Sequence, residues 1–192
     1  PLDARLEEDV VAMVRKTTDT FGRIDILVNN VGATDSLLSN PPIWEISEEK
    51  WQALINLNLT TTFLCTKTVA KVMADQKQGN IVNMSSASAL NASPGALAYS
   101  VAKAGVIQIT KNLAVQLAPY NIRVNALGTG WTTAEDIPQE VQREELLVRY
   151  TPLRRKGNPR DIGPLLVYLC SEACDYSTGQ PVYVDGGLNA HP

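Results

Sequence analysis

Tyr99 and Lys103 stand four residues apart in a stretch with helical periodicity, residues 97–118, so both side chains project from one face of a helix. A free tyrosine titrates near a pH of about 10 and handles protons poorly at neutrality. An ammonium one turn away stabilises the phenolate and brings it towards the working range. The bare spacing is common, and its plainer meaning is an aromatic anchor beside a solvated lysine. Ser86 strengthens the chemical meaning, because it follows a strand at Ile81–Met84 and precedes Tyr99 by thirteen residues. Neutral Ser and Tyr with one Lys suit proton transfer to or from a carbonyl or alcohol oxygen. They do not suit hydrolysis by a base-activated nucleophile. The chain's one histidine is His191, the penultimate residue, so a Ser-His-Asp triad, a His-ligated zinc or a Cys-His dyad would depend on the tail.

The elements that must position these residues alternate between two periods. Residues 6–21 repeat apolar positions at helical spacing and stop at Gly22, and Ile24–Val28 reads as a short strand buried on both faces. Ser47 caps a long helix through about Ala74, with Glu48 and Glu49 set favourably against its dipole. After the strand at 81–84, a Ser- and Ala-rich loop runs to Pro94-Gly95, and the helix carrying Tyr99 follows until Pro119. Ile122–Leu127 is a third strand, broken by Gly128-Thr129-Gly130. Pro138 opens a helix to about Tyr150, Asn158-Pro159 opens another towards Cys170, and Pro181–Val184 is a last strand. Strands separated by long helices mean βαβ units and a parallel sheet covered on both faces. The loops after the first three strands then meet at the carboxyl edge, where such sheets bind ligands.

Composition removes other classes. The 192 residues carry 17 Lys+Arg against 20 Asp+Glu, a net charge of -3 that offers no footprint for nucleic acid or anionic membrane. No apolar run approaches the roughly 20 residues that span a bilayer. Cys65, Cys170 and Cys174 form no C-x-x-C pair, which reads as free thiols in a reducing, cytoplasmic setting.

Together these motifs resemble the short-chain dehydrogenase/reductase family over about residues 3–187. The carrying residues are Asn29-Asn30-Val31-Gly32, Asn58 in Asn56-Leu57-Asn58-Leu59, Ser86, and Tyr99-Ser100-Val101-Ala102-Lys103. Asn125-Ala126, Thr129-Gly130 and the ending Thr178-Gly179-Gln180 to Asp185-Gly186-Gly187 complete the set. The resemblance implies a doubly wound Rossmann-type α/β sheet and hydride transfer between NAD or NADP and a carbonyl or secondary alcohol, without a metal. It implies Tyr99 as general acid or base, Ser86 on the substrate oxygen, and Lys103 lowering the Tyr99 pKa while holding the nicotinamide ribose. Asn58 would support a water between Lys103 and solvent. Asn29 and Gly32 would lie along the cofactor, Gly130 and Thr132 would face its carboxamide, and Asp3 would meet the adenine. Thr129 in place of proline, Ala134 in place of threonine and Val31 in place of alanine depart from the family pattern.

No stretch resembles the glycine-rich turn that seats a pyrophosphate at a helix N-terminus. Residues 1–192 therefore read as one Rossmann-type domain whose amino-terminal βαβαβ portion, roughly 50 to 70 residues, is missing. The strand Ile24–Val28 would then be an apolar sheet edge. Residues 33–44, 88–97 and 131–155 would wall the substrate, with Trp44, Leu90, Leu97 and Trp131 as apolar lining and Arg154-Arg155-Lys156 as a candidate anion cradle. The helices 48–74 and 97–118 are apolar on more than one face, which suggests a homodimer or homotetramer. Two other readings use the same residues: a catalytically silent partial family member acting as a scaffold, and a lyase or isomerase built on the Tyr–Lys pair.

Overall fold

The computed structural model describes residues 2–34, 41–92, 96–135, 137–142 and 145–190. Pro94-Gly95 and His191 lie outside the described residues, as do 35–40 of the expected substrate wall. Helix α1 (Glu7–Phe21) has three acids in its first turn and ends on Gly22, whose φ of 76° is the left-handed closure that glycine accepts readily. Strand β1 (Ile26–Asn29) begins two residues later than its apolar run suggests. Gln76 explains the offset: its side chain accepts from the Ile24 N–H at 2.9 Å and donates to the Ile24 carbonyl at 2.8 Å, replacing a strand neighbour.

The long helix expected from Ser47 is interrupted. Ser47 does cap α2 (Glu48–Ile55), accepting from the Lys50 N–H, but Asn56–Thr60 widens to a π-turn before α3 (Thr61–Gln76) resumes. Such a turn rotates the side chains that follow and often marks a functional position. Here it carries Asn58.

Strand β2 (Gly79–Ser86), helix α4 (Leu97–Leu117) and strand β3 (Ile122–Thr129) form the centre. Between Pro138 and Tyr150 the single expected helix is instead two short ones, α5 (Gln139–Gln142) and α6 (Leu146–Tyr150). Helix α7 (Pro159–Cys170) starts at a capping box in which Asn158 and Asp161 each bond the other's backbone N–H side, and β4 (Pro181–Val184) ends the sheet.

The four strands are all parallel in the order β1-β2-β3-β4. Among the described residues β1 is an edge strand paired with β2 alone, and its Ile26 is half exposed. One face of the sheet packs Ile81, Ile122 and Val124 against Val14 of α1, Val69 and Met73 of α3 and Ala114 of α4. The other packs Val82 and Leu127 against Leu169 of α7 and Cys174. Strand β2 obeys the period of two: Ile81, Asn83 and Ser85 meet α3 and α4, while Asn80 and Val82 meet α7. Among the described residues no helix is long and apolar enough to cross a membrane.

Candidate active site

Strand β2 delivers Ser86 to the carboxyl edge of the sheet, and the first turns of α4 bring Tyr99 and Lys103 over it. The Ser86 side chain adjoins the Tyr99 phenol, and Ser86 Oγ accepts from the Ser88 N–H at 3.2 Å. Lys103 Nζ lies 5.6 Å from the Tyr99 ring centroid. It donates to the Met84 carbonyl at 2.9 Å, and the residue is 4% exposed. Burial moves both titrations. It pushes the Tyr99 phenol above its ordinary value, with the Ser86 hydroxyl pulling the other way, and it lowers the Lys103 amine to about 8. The sequence led us to expect Lys103 to lower the Tyr99 pKa. Burial instead dominates Tyr99, and the neighbouring Ser86 hydroxyl is what opposes it.

Asn58 is wholly buried beside this pair. Its amide donates to the Ala33 carbonyl at 2.8 Å and the Leu54 carbonyl at 3.0 Å, and its Oδ1 accepts from the Ala33 N–H at 3.1 Å. The π-turn thus aims Asn58 at the chain leaving β1, and two of its three bonds fix that loop at Ala33. The loop can approach so closely because residue 32 is glycine: a Cβ there would stand 2.6 Å from Asn58 Oδ1 and 3.0 Å from Lys103 Nζ. Val31, Gly32 and Ala33 themselves face solvent. The polar core of the site is therefore roofed by exposed backbone.

The remaining expected residues divide. Asn29 is buried, and its amide donates at 2.8 Å to both Thr66 Oγ1 and Asn83 Oδ1, while Asn83 donates onward to Thr110 Oγ1 at 2.9 Å. Its side chain ties β1 to the helices, leaving backbone for any ligand. Gly130 donates its N–H to the Val184 carbonyl and lies against Asp185, where a Cβ would sit 2.6 Å from the Asp185 Cα. Thr132 is exposed and bridges to Gly157. Gly130 and Trp131 border a cavity of about 210 Å³ that Arg155, Asp161 and Asp185 also line. Asp3 stands apart at the start of α1, where Arg5 bonds its carboxylate and holds its pKa at about 2. The basic triplet is occupied internally. Arg155 pairs with Asp161 at 2.7 Å, Lys156 with Glu145 at 2.7 Å and with the Trp131 ring, and Arg154 with the Arg149 carbonyl. Of the expected apolar lining, Trp44 and Leu90 are open to solvent and Leu97 is half exposed.

Sequence reasoning passed over Asn83, Ser85 and Thr110, all buried and all bonded beneath the site. Their signal was present as polar residues inside a strand and a helix that otherwise pack against apolar core.

The family model described as Enoyl-(Acyl carrier protein) reductase matches residues 1–189. The chain is 42% identical to a 3-oxoacyl-[acyl-carrier-protein] reductase of Synechocystis, over 94% of this chain and 71% of that protein. It belongs to the short-chain dehydrogenase/reductase family. Within that family it is 40% identical to the 3-oxoacyl-[acyl-carrier-protein] reductase FabG of Thermotoga maritima, over 94% of this chain and 72% of that one. A short-chain dehydrogenase/reductase from Burkholderia xenovorans superposes with a TM-score of 0.89 at 33% identity, covering 100% of this chain and 73% of its own. A gluconate 5-dehydrogenase of Burkholderia cenocepacia, solved with NADP and tartrate, gives 0.88 at 28% identity, covering 100% and 74%. The Rossmann-type α/β fold is shared throughout.

Proposed function

We propose that this family member is an NAD(P)-dependent oxidoreductase that interconverts a carbonyl and a secondary alcohol, with Tyr99 as the proton donor and acceptor. The observation that carries the reading is the Ser86–Tyr99–Lys103 cluster at the end of β2, in which Lys103 spends one donor on the Met84 carbonyl. An ammonium has three donors, so two remain for oxygens that enter the site. This fits a nicotinamide riboside, whose ribose hydroxyls would meet Lys103 and Tyr99. Gly32 and the backbone of Asn29 would border it, and Gly130 and Thr132 would lie on its carboxamide side. The placing of Asp3 beside the adenine is part of the same proposal.

When bound, the cofactor supplies or accepts the hydride. The protein handles the proton. In reduction, Ser86 and Tyr99 hydroxyls hold the carbonyl oxygen, the Tyr99 phenol gives its proton to that oxygen, and Lys103 stabilises the phenolate that remains. Oxidation runs the transfer backwards, with the phenolate taking the alcohol proton. The substrate class favoured by the named relatives is a 3-oxoacyl thioester, and the exposed Leu90 and Leu97 near the site offer apolar surface to an acyl chain. Phe63, Val101 and Val115 remain exposed on α3 and α4, which supports a homo-oligomer built on those helices.

The test is oxidation of NADPH and of NADH by acetoacetyl-coenzyme A, followed at the reduced-nicotinamide absorbance. Turnover that vanishes in Tyr99→Phe is the expected result. Nucleotide binding without turnover of any ketone would favour the silent scaffold, and turnover surviving Tyr99→Phe would remove the assigned acid.

A further inference from the structure

Adjacent residues of β2 hold the two ends of the Tyr99–Lys103 unit. Ser86 adjoins the Tyr99 phenol. Ser85, 3% exposed, points to the opposite face and donates its Oγ–H to the backbone carbonyl of Lys103 at 2.9 Å, across eighteen residues of chain. Lys103 is thereby gripped twice by the same strand, since its Nζ donates to the Met84 carbonyl at 2.9 Å. Ala114, with Leu113 and Leu117, packs α4 against Ile81, Ile122 and Val124 of the sheet, and apolar packing is not directional and tolerates small slides and rotations. The bond from Ser85 is directional, and so is the bond from Asn83 to Thr110 two helical turns further along. Together they fix both the height and the rotation of α4 on β2. The rung nearer the chemistry is the one made by Ser85.

We propose that Ser85 is a positioning residue: its hydrogen bond to the Lys103 carbonyl sets α4 against β2 and thereby places the Tyr99 hydroxyl beside Ser86. It touches no substrate and acts through its neighbours. The catalytic part of this inference rests on the proton-transfer role given to Tyr99 above, whereas the placing of Tyr99 beside Ser86 does not. The Lys103 carbonyl lies within α4, where the helix supplies its own donor, so loss of the Ser85 bond leaves no orphaned acceptor. The expected defect is therefore one of placement, and small misplacements of reacting groups are costly.

The experiment compares Ser85→Ala and Ser85→Thr in the otherwise unaltered chain, with two readouts. Steady-state reduction of acetoacetyl-coenzyme A is expected to lose about tenfold in kcat in Ser85→Ala with KM held within about twofold, and to recover to within about threefold in Ser85→Thr, which keeps the hydroxyl. Phenolate absorbance, taken as a difference from Tyr99→Phe, is expected to show Tyr99 titrating at higher pH in Ser85→Ala by about half a unit or more, because a Ser86 hydroxyl close to Tyr99 favours the phenolate. Ser85→Thr should titrate like the parent. A Ser85→Ala protein with parental kcat and parental Tyr99 midpoint overturns the proposal. So does a parallel fall of kcat, substrate binding and melting temperature in both variants, which would make Ser85 ordinary packing. If Tyr99→Phe still turns over, the proton-transfer reading fails, and the titration alone still decides whether Ser85 seats Tyr99.

Discussion

Lys103 and Arg155 are both cations partly withdrawn from water, and the chain treats them in opposite ways. Arg155 faces Asp161 with two hydrogen bonds, at 2.7 and 3.0 Å, and the pair lowers the Asp161 carboxyl to about 2. Asp161 in turn closes the cap of α7 by accepting from the Asn158 N–H. Both oxygens of Asp161 and three of the five Arg155 donors are spent on holding the chain after β3 to the helix. Lys103 is more deeply buried and, among the described residues, meets no carboxylate. It has a carbonyl at 2.9 Å, a tyrosine ring beside it and an amine lowered to about 8. The difference separates a cation neutralised by a carboxylate from one that is buried with a single carbonyl acceptor, at a cost in stability.

Four substitutions would break or sharpen that contrast. Tyr99→Phe should have the largest effect, lowering kcat by about a thousandfold or more while leaving melting nearly unchanged, since one hydroxyl is lost. Lys103→Met should lower kcat by about a hundredfold, yet leave the fold equally stable or raise stability at pH 7 by up to about 3 kcal/mol, because the cost of burying an ammonium disappears. The parent's own stability should rise with pH between about 8 and 10.5, where the folded Lys103 has lost its proton and the unfolded one keeps it, and denaturant titrations should show this rise vanish in Lys103→Met. Asp161→Asn should leave kcat within about twofold and cost about 1 kcal/mol by urea denaturation, the pair being one-third exposed. That contribution is fully present above pH 3.8 and is lost as pH falls through about 2, so the two proteins should converge in acid. Lys156→Met should be smallest, about 0.5 kcal/mol, because its partner Glu145 is exposed and the Trp131 contact survives in part through the side-chain stem.

Reading the sequence was most successful where one principle decided the outcome. Strand β2 and helix α4 followed from their periods, and Ser86, Tyr99 and Lys103 met because strand end and helix start share one edge of a parallel sheet. It was least successful where tertiary contacts compete with local preference. The π-turn at Asn56–Thr60 has no signature in a helix that otherwise reads straight through, and it exists beside Asn58, whose three bonds reach Leu54 and Ala33. The direction of the Tyr99 titration was also hidden. An i, i+4 lysine suggests a lowered phenol, but the sequence does not state how deeply the ring is buried, and burial is the larger influence. The basic triplet misled for a similar reason, since Asp161 and Glu145, which consume Arg155 and Lys156, lie six and eleven residues away.

The contrast rests on the state of Lys103, and its side-chain amine can be observed directly. Lysine side-chain NMR across a pH titration, with Lys103→Arg to assign the resonance, should show Lys103 half-titrated at about 8, well below the ordinary lysine value near 10.5. A Lys103 midpoint near the ordinary lysine value of about 10.5 would contradict a buried amine that burial depresses.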